Sequence, residues 1–139
     1  MAAGVRQLMA ELYRSPVPPQ LWDRIRDEFG LPALDQVRER LAAITQDPEP
    51  VMRQLVRVFI GEGTYCPGYQ FQQDLSLNPV MTCLFQRAIH LRIPHNYLAM
   101  WMMTPCPALN GARPVDRLKP ADGPVLLAAM ESTLARAVA

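Results

Sequence analysis

The chain has 139 residues, half of them hydrophobic and 19% charged, with a formal net charge of +1. This length supports one domain with a real core or two small helical lobes, and the composition is globular, not disordered. No apolar run reaches the length of a bilayer span, and the near-neutral balance gives no basic block for strong nucleic-acid binding: eight basic and eight acidic residues up to Ile60, six and five beyond it.

The first sixty residues read as four short amphipathic helices. Val5, Leu8, Met9 and Leu12 have helical spacing, and Arg6 and Glu11 among them exclude a signal peptide. Ser15 to Pro19 stops that helix and starts the next, whose stripe is Leu21, Trp22, Ile25 and Phe29, with Gly30 as its stop. Leu34, Val37, Leu41 and Ile44 define a third helix. After Asp47-Pro48-Glu49-Pro50, the residues Met52, Leu55, Val56, Phe59 and Ile60 predict a fourth, with Glu49 and Arg53 ordered for an i,i+4 pair.

Residues 61–79, "GEGTYCPGYQFQQDLSLNP", have three Gly, two Pro and no helical period. The aromatic and aliphatic residues Tyr65, Tyr69, Phe71, Leu75 and Leu77 predict a crossing segment that packs against the rest. No pair of strands joined by a hairpin turn is expected, and "YQFQ" at most makes a short extended piece. The helical period returns with Val80, Met81, Leu84, Phe85, Ala88 and Leu91. Asn96 is the expected cap of a helix cored by Tyr97, Leu98, Trp101 and Met102, and Asp122 that of a last helix bearing Leu126, Leu127, Met130 and Leu134, with Pro124 in its first turn. The expected fold is therefore all-α, a small helical bundle in two lobes, 1–60 and 80–139, joined through 61–79.

Residues that carry chemistry are sparse. His90 and His95 read as structural or exposed. The odd count of cysteines, Cys66, Cys83 and Cys106, without metal spacing, reads as reduced cytosolic thiols, and Cys66 has no basic neighbour in sequence to activate it. No catalytic, metal or cofactor motif is found, so the expectation is a non-enzymatic cytoplasmic protein with no cofactor and no metal. Trp101 and Met102 read as core, whereas Met100 and Met103, off that stripe, are candidates for an adaptable contact surface. The pair "LWDRIRDEFGLPALDQVRERL" resembles a helix-turn-helix in outline. Pro32 and an extra residue before Val37 spoil its spacing, and acidic residues interleave with Arg38 and Arg40.

The stretch "WMMTPCPALNGARPVDRL" is the most punctuated part of the chain. Pro105 and Pro107 stop a helix, Asn110-Gly111 supplies a turn that tolerates positive φ, Leu109 tucks inward, and Pro114 opens a short helical turn with Leu118 facing the core. Trp101, Pro105, Leu109, Gly111, Pro114, Asp116 and Leu118 also fall, without a gap, on the pattern of the toxin-binding C-terminal domain of the MbcA/ParS/Xre antitoxin family. "KPADGPVLLAAMESTLARA" is similar to that family's turn and final helix, and "YQFQQDLSLNPVMTCLFQ" to its lead-in. Cys106 stands where the family usually has Asn.

The resemblance covers about residues 69–137. It implies an antitoxin that neutralises a RES-domain toxin, one that consumes NAD⁺ or transfers ADP-ribose, by covering its active-site cleft. It also implies partner contacts from the last helix, where Met130, Leu134, Arg136 and the C-terminal carboxylate are best placed. Two other readings accompany it: a DNA-binding regulator that uses the N-terminal lobe and dimerises through the C-terminal one, and an adaptor that reuses the domain to bind another protein. A homo-oligomer is expected.

Overall fold

The computed structural model of the chain describes residues 17–135. The stripe Val5 to Leu12 and Arg136 lie outside them. The described chain is mainly helical: α1 (Pro19–Phe29), α2 (Leu34–Ala42), the single turn α3 (Glu49–Met52), α4 (Pro79–His90), α5 (His95–Met102) and α6 (Gly123–Met130), the last running into a π turn, Glu131–Ala135. Short 3₁₀ turns occupy Gly68–Gln70, Pro107–Leu109, Pro114–Arg117 and Pro120–Asp122. No helix among the described residues is long and apolar enough to cross a membrane.

The expected fourth helix is largely replaced by a hairpin. Its helical turn ends at Met52, and Val58–Ile60 (β1) pairs antiparallel with Gly63–Tyr65 (β2) in the register Val58 to Tyr65, Phe59 to Thr64 and Ile60 to Gly63. The physical reason is in the residues. Val56, Val58 and Ile60 are β-branched, and their stiff side chains favour extended backbone. Gly61, at φ +58°, opens the two-residue turn Gly61-Glu62, and glycine in first place is what one type of hairpin turn requires.

Neither edge of the hairpin is left bare. The Phe59 N–H donates to Asn96 Oδ1 (2.9 Å), and Asn96 Nδ2 donates back to the Phe59 carbonyl (3.1 Å). Asn96 therefore does not cap α5, whose N-cap is Pro94; its amide acts as one residue of a third strand. On the other side Ala33 bridges to Tyr65, and the Cys66 N–H donates to the Pro32 carbonyl (2.9 Å). The sheet edge is thus closed by a side chain and by the α1–α2 turn.

Segment 61–79 is the centre of the fold. Cys66, Tyr69 and Gln70 are buried, and the Gln70 amide is the only buried polar side chain among the described residues. Gln70 Nε2 donates to the carbonyls of Val56 (2.9 Å) and Pro67 (3.0 Å), while Oε1 accepts from the Val56 N–H (2.8 Å). The Gly68 N–H donates to the Gly30 carbonyl (2.9 Å), so the two backbones touch at this point.

The larger apolar cluster joins Leu21, Trp22 and Ile25 of α1 to Val58, Tyr69, Leu84, Trp101, Leu126 and Leu134. A second, smaller one holds Val37 and Leu41 of α2 with Met52, Leu55 and Cys66. The core is therefore not divided at 61–79: α1 packs with the C-terminal helices, and segment 61–79 threads between the clusters.

Two substitutions test this centre. A Cβ on Gly68 would lie 2.0 Å from the Phe29 carbonyl oxygen, a backbone atom that cannot rotate away. Gly68→Ala is expected to destabilise by about 2–4 kcal/mol, the range of a backbone displacement or overpacked contact. Gln70→Leu keeps the volume but strands the Val56 N–H and carbonyl; its expected cost is roughly 2–6 kcal/mol, one to three for each orphaned group. Urea unfolding of both variants measures the losses, and a midpoint unchanged from wild type would refute the assignment.

Candidate functional site

The residues that carry the family resemblance form one corner. Trp101 and Met102 end α5 with no exposed surface, and Pro105 stands exposed just beyond the helix. The chain then closes a tight loop: the Cys106 N–H donates to the Ala112 carbonyl (3.0 Å), and the Gly111 N–H donates to the Cys106 carbonyl (2.9 Å). Asn110 (φ +57°) and Gly111 (φ +86°) supply the two left-handed residues that this reversal needs. Leu109 is buried inside the loop, and Pro114 opens the next turn, where Val115 is also buried. Leu118 packs half-buried on the main cluster, and its carbonyl accepts from Asn78 Nδ2 (3.1 Å). The other side of Asn78 caps α4, Oδ1 accepting from the Val80 (2.9 Å) and Met81 (3.2 Å) N–H groups.

Asp116 works through Arg113. Arg113 Nε and Nη2 donate to Asp116 (2.9 and 3.1 Å), while Nη1 and Nη2 donate to Glu28 on α1 (2.9 and 3.0 Å). One guanidinium thus holds two carboxylates, one of them 85 positions away in sequence. The hydrogen bond from Arg113 holds Glu28 below its usual carboxylate range, and its bonds to Asp116 and Glu28 push Arg113 above its own.

The residues expected to meet a partner are placed differently. Met100 (3% exposed), Met103 (1%), Met130 (0%) and Leu134 (0%) are all core residues. A side chain with no accessible surface offers nothing to a docking protein, so these four hold the corner and α6 in place and are not a contact surface. Helical period alone missed this because both sides of α5 are covered. What α6 does expose is Pro124, Val125 (50% exposed) and Ala128. Between Lys119 and Glu131 the chain carries one charge, Asp122, which bonds no α6 N–H and lies 3.8 Å from Arg117. An all-apolar helix is ordinarily covered on every side, and this one is not.

The Cys and His residues do not combine into an activated nucleophile. Cys66 is fully buried, and burial pushes its thiol up to about 11 despite the nearby Arg57 charge, so it stays protonated. The Tyr69 hydroxyl is likewise pushed up by burial. His95 Nδ1 accepts from the Arg57 N–H (3.0 Å), and its ring lies edge-on to Phe85 (5.1 Å between centroids) and Phe59 (6.1 Å). Burial first, and the Arg57 charge second, hold His95 below its usual value. Among the described residues no group of three or more His, Cys, Asp and Glu side chains stands ready for a metal.

Two of the four cations of the α1–α2 pair are matched: Arg26 pairs with Asp23 and Asp27 (both 3.1 Å), and Arg38 with Glu49 (3.3 Å), the carboxylate expected to meet Arg53. No protein-family model, no curated protein and no solved structure matches this chain.

Sequence reasoning missed Gln70, Asn78, the strand-edge role of Asn96 and the Glu28–Arg113 pair. Asn78-Pro79 ahead of an apolar run is a readable cap signal. The other three bridge positions 14 to 85 residues apart, and no local pattern announces them.

The neutral state of His95 sets a pH dependence. Below its ordinary value of 6.5 the unfolded chain takes up a proton that the folded chain refuses, so stability falls as pH drops through 6.5 towards the lower folded value. Glu28 and Asp74, held low, act only below their ordinary 4.5 and 3.8. Denaturation midpoints between about pH 7.5 and 5.5 are expected to fall for wild type, with a flatter profile for His95→Gln, whose side-chain oxygen still accepts from Arg57. Equal slopes in the two proteins would assign the dependence elsewhere.

Proposed function

We propose that the chain is an antitoxin-type binding protein. It acts by binding, not by chemistry of its own, and its C-terminal part, 80–139, engages a cognate protein toxin, with 1–60 as a supporting part and 61–79 as the join. The observation that supports the reading is the corner itself: most of the seven residues of the family pattern have a physical task in it. Trp101, Leu109 and Pro114 fill the interior, Gly111 turns the chain, and Asp116 fixes the guanidinium that reaches α1. The toxin class, RES-type and acting on NAD⁺, comes from the resemblance alone.

Within this reading the contact surface is the exposed apolar face of α6, Pro124, Val125 and Ala128, together with the chain that follows it. An uncharged helix face suits a helix-in-groove contact with an enzyme cleft. The buried Met130 and Leu134 set the helix orientation.

Sequencing of the gene beside this chain's and, where it encodes a RES-type toxin, co-expression with that toxin test the proposal. Wild type is expected to restore growth and cellular NAD⁺. The double substitution Val125→Glu with Ala128→Glu, both exposed, is expected to keep the helical circular dichroism and melting temperature and to lose rescue. Removal of residues 136–139 tests Arg136 and the terminal carboxylate without touching the buried Leu134. Full rescue by both folded variants would remove α6 and its tail as the neutralising element, and absence of rescue by wild type would remove the antitoxin reading.

A further inference from the structure

We propose that Asn110-Gly111 is a self-modification site: the Asn110 side chain cyclises onto the Gly111 nitrogen and hydrolyses to aspartate and isoaspartate, at a rate set by how often the corner opens. The inference rests on the geometry of the corner and holds whatever the chain binds, so it stands independently of the antitoxin reading.

The chemistry is intrinsic to asparagine. The Gly111 amide nitrogen forms a bond to Asn110 Cγ, the Cγ–Nδ2 bond breaks, and ammonia leaves with the proton given up by the Gly111 amide. Water then opens the cyclic imide at either of its carbonyls and is the only co-reactant. One product is aspartate. The other is isoaspartate, in which the side-chain methylene has entered the main chain. Glycine in the following position favours the attack, because it has no Cβ to crowd the nitrogen and leaves the backbone free to rotate.

Of the three asparagines only Asn110 precedes glycine. Asn78 precedes Pro79, which has no N–H to give up, and its amide is bonded at both ends, to Leu118 and to the start of α4. The Asn96 amide is held at both ends by Phe59, and the Tyr97 N–H that follows it donates to the Pro94 carbonyl (3.1 Å). Asn110 and Gly111, by contrast, are both exposed, so base and water reach the pair.

The closed corner holds the reaction off. Asn110 stands at φ +57° and ψ +36°. With the tetrahedral arrangement at Cα, this ψ turns the Asn110 carbonyl oxygen towards Cβ and the Gly111 nitrogen away from it. Ring closure needs the nitrogen on the Cβ side, so the bond from Cα to the carbonyl must turn through most of half a circle. The Gly111 N–H is also spent on the Cys106 carbonyl (2.9 Å), and the Cys106 N–H on the Ala112 carbonyl (3.0 Å). Neither bond survives that rotation, and Leu109, 4% exposed, anchors the loop between them. Reaction therefore proceeds from the open loop, and its rate follows the open population. The isoaspartyl product carries an extra main-chain carbon between Leu109 and Gly111. Both bonds then lose their register, and the opening becomes permanent.

The test holds the full-length chain at mildly alkaline pH, with and without denaturing guanidinium. Peptide mapping by mass spectrometry reads each asparagine, and an isoaspartyl methyltransferase labels the isoaspartyl product. Conversion is expected at Asn110 and not at Asn78 or Asn96, and about tenfold or more faster in denaturant, as the open population rises to the whole. Leu109→Ala removes the anchor of the loop; while its helical circular dichroism is retained, it is expected to convert about tenfold faster than wild type without denaturant. Where that variant does not fold, guanidinium below the midpoint of wild type replaces it, with the same direction of change expected. The purified isoaspartyl protein is expected to melt below Asn110→Asp, which has the new charge on an unaltered main chain. The proposal is overturned by no conversion of Asn110 in denaturant, by equal rates in the folded and unfolded chain, or by a rate that neither Leu109→Ala nor mild guanidinium raises. It is overturned equally by an isoaspartyl protein that melts with Asn110→Asp.

Discussion

The structure depends on one buried amide. Gln70 takes both backbone groups of Val56 and the Pro67 carbonyl, and it does so with 1% of its surface exposed. Removed from water, each of those groups needs a partner. The bond fixes where the chain leaves the α3 turn and becomes extended, two residues before β1. It also fixes the opposite strand of chain, since the Asn78 N–H donates to the Gln70 carbonyl (2.9 Å). Asn78 in turn caps α4 and reaches Leu118. Together with the Gly30–Gly68 and Pro32–Cys66 bonds, this brings segments from α1 to the far side of the corner onto one short stretch, 65–70.

That architecture explains which parts were legible in the sequence. The stripes Leu21-Trp22-Ile25, Val80-Met81-Leu84-Phe85-Ala88 and Leu126-Met130-Leu134 name helices correctly because each helix buries one side, which is what a helical period records. The corner was legible for a different reason: Pro and Gly restrict backbone locally, so Asn110, Gly111 and Pro114 give turns wherever the chain goes. Residues 55–60 misled because Leu55, Val56, Phe59 and Ile60 also fit a helical period. Only the β-branched content and the Gly61-Glu62 turn favour the hairpin, and its edges are closed by Asn96 and Ala33 from distant parts of the chain. Long-range partners of that kind leave no periodic trace.

The methionines show the limit of periodicity for finding a contact surface. Met100 and Met103 lie off the Trp101 stripe, which on a one-sided helix would put them at the surface. α5 is not one-sided: the hairpin, the 114–117 turn and the 131–135 turn pack against it, and all of Leu98 to Met103 is buried. An unbranched side chain suits such a crowded position because it can fill irregular space from several neighbours. The pattern residues therefore define a frame, and whatever meets a partner must come from the residues that the frame leaves outside.

Arg113 shows how the frame is joined to the first half of the chain. Both carboxylates are bound through two nitrogens, four hydrogen bonds in all, which a lysine ammonium with its single nitrogen could not reproduce in this planar arrangement. The energy is not the point, since ion pairs with this much exposure contribute little on their own, about 0–1 kcal/mol. Two acids on one cation also leave a local excess of one negative charge. The geometry places that excess where water can absorb it, with the Glu28 and Asp116 side chains 40% and 52% exposed and Arg113 at 19%. What the arrangement supplies is direction: it sets the end of α1 against the 114–117 turn. The turn stands against α5, and the chain leads from it into α6. The far ends of the described chain are thereby held to one frame through a single planar group.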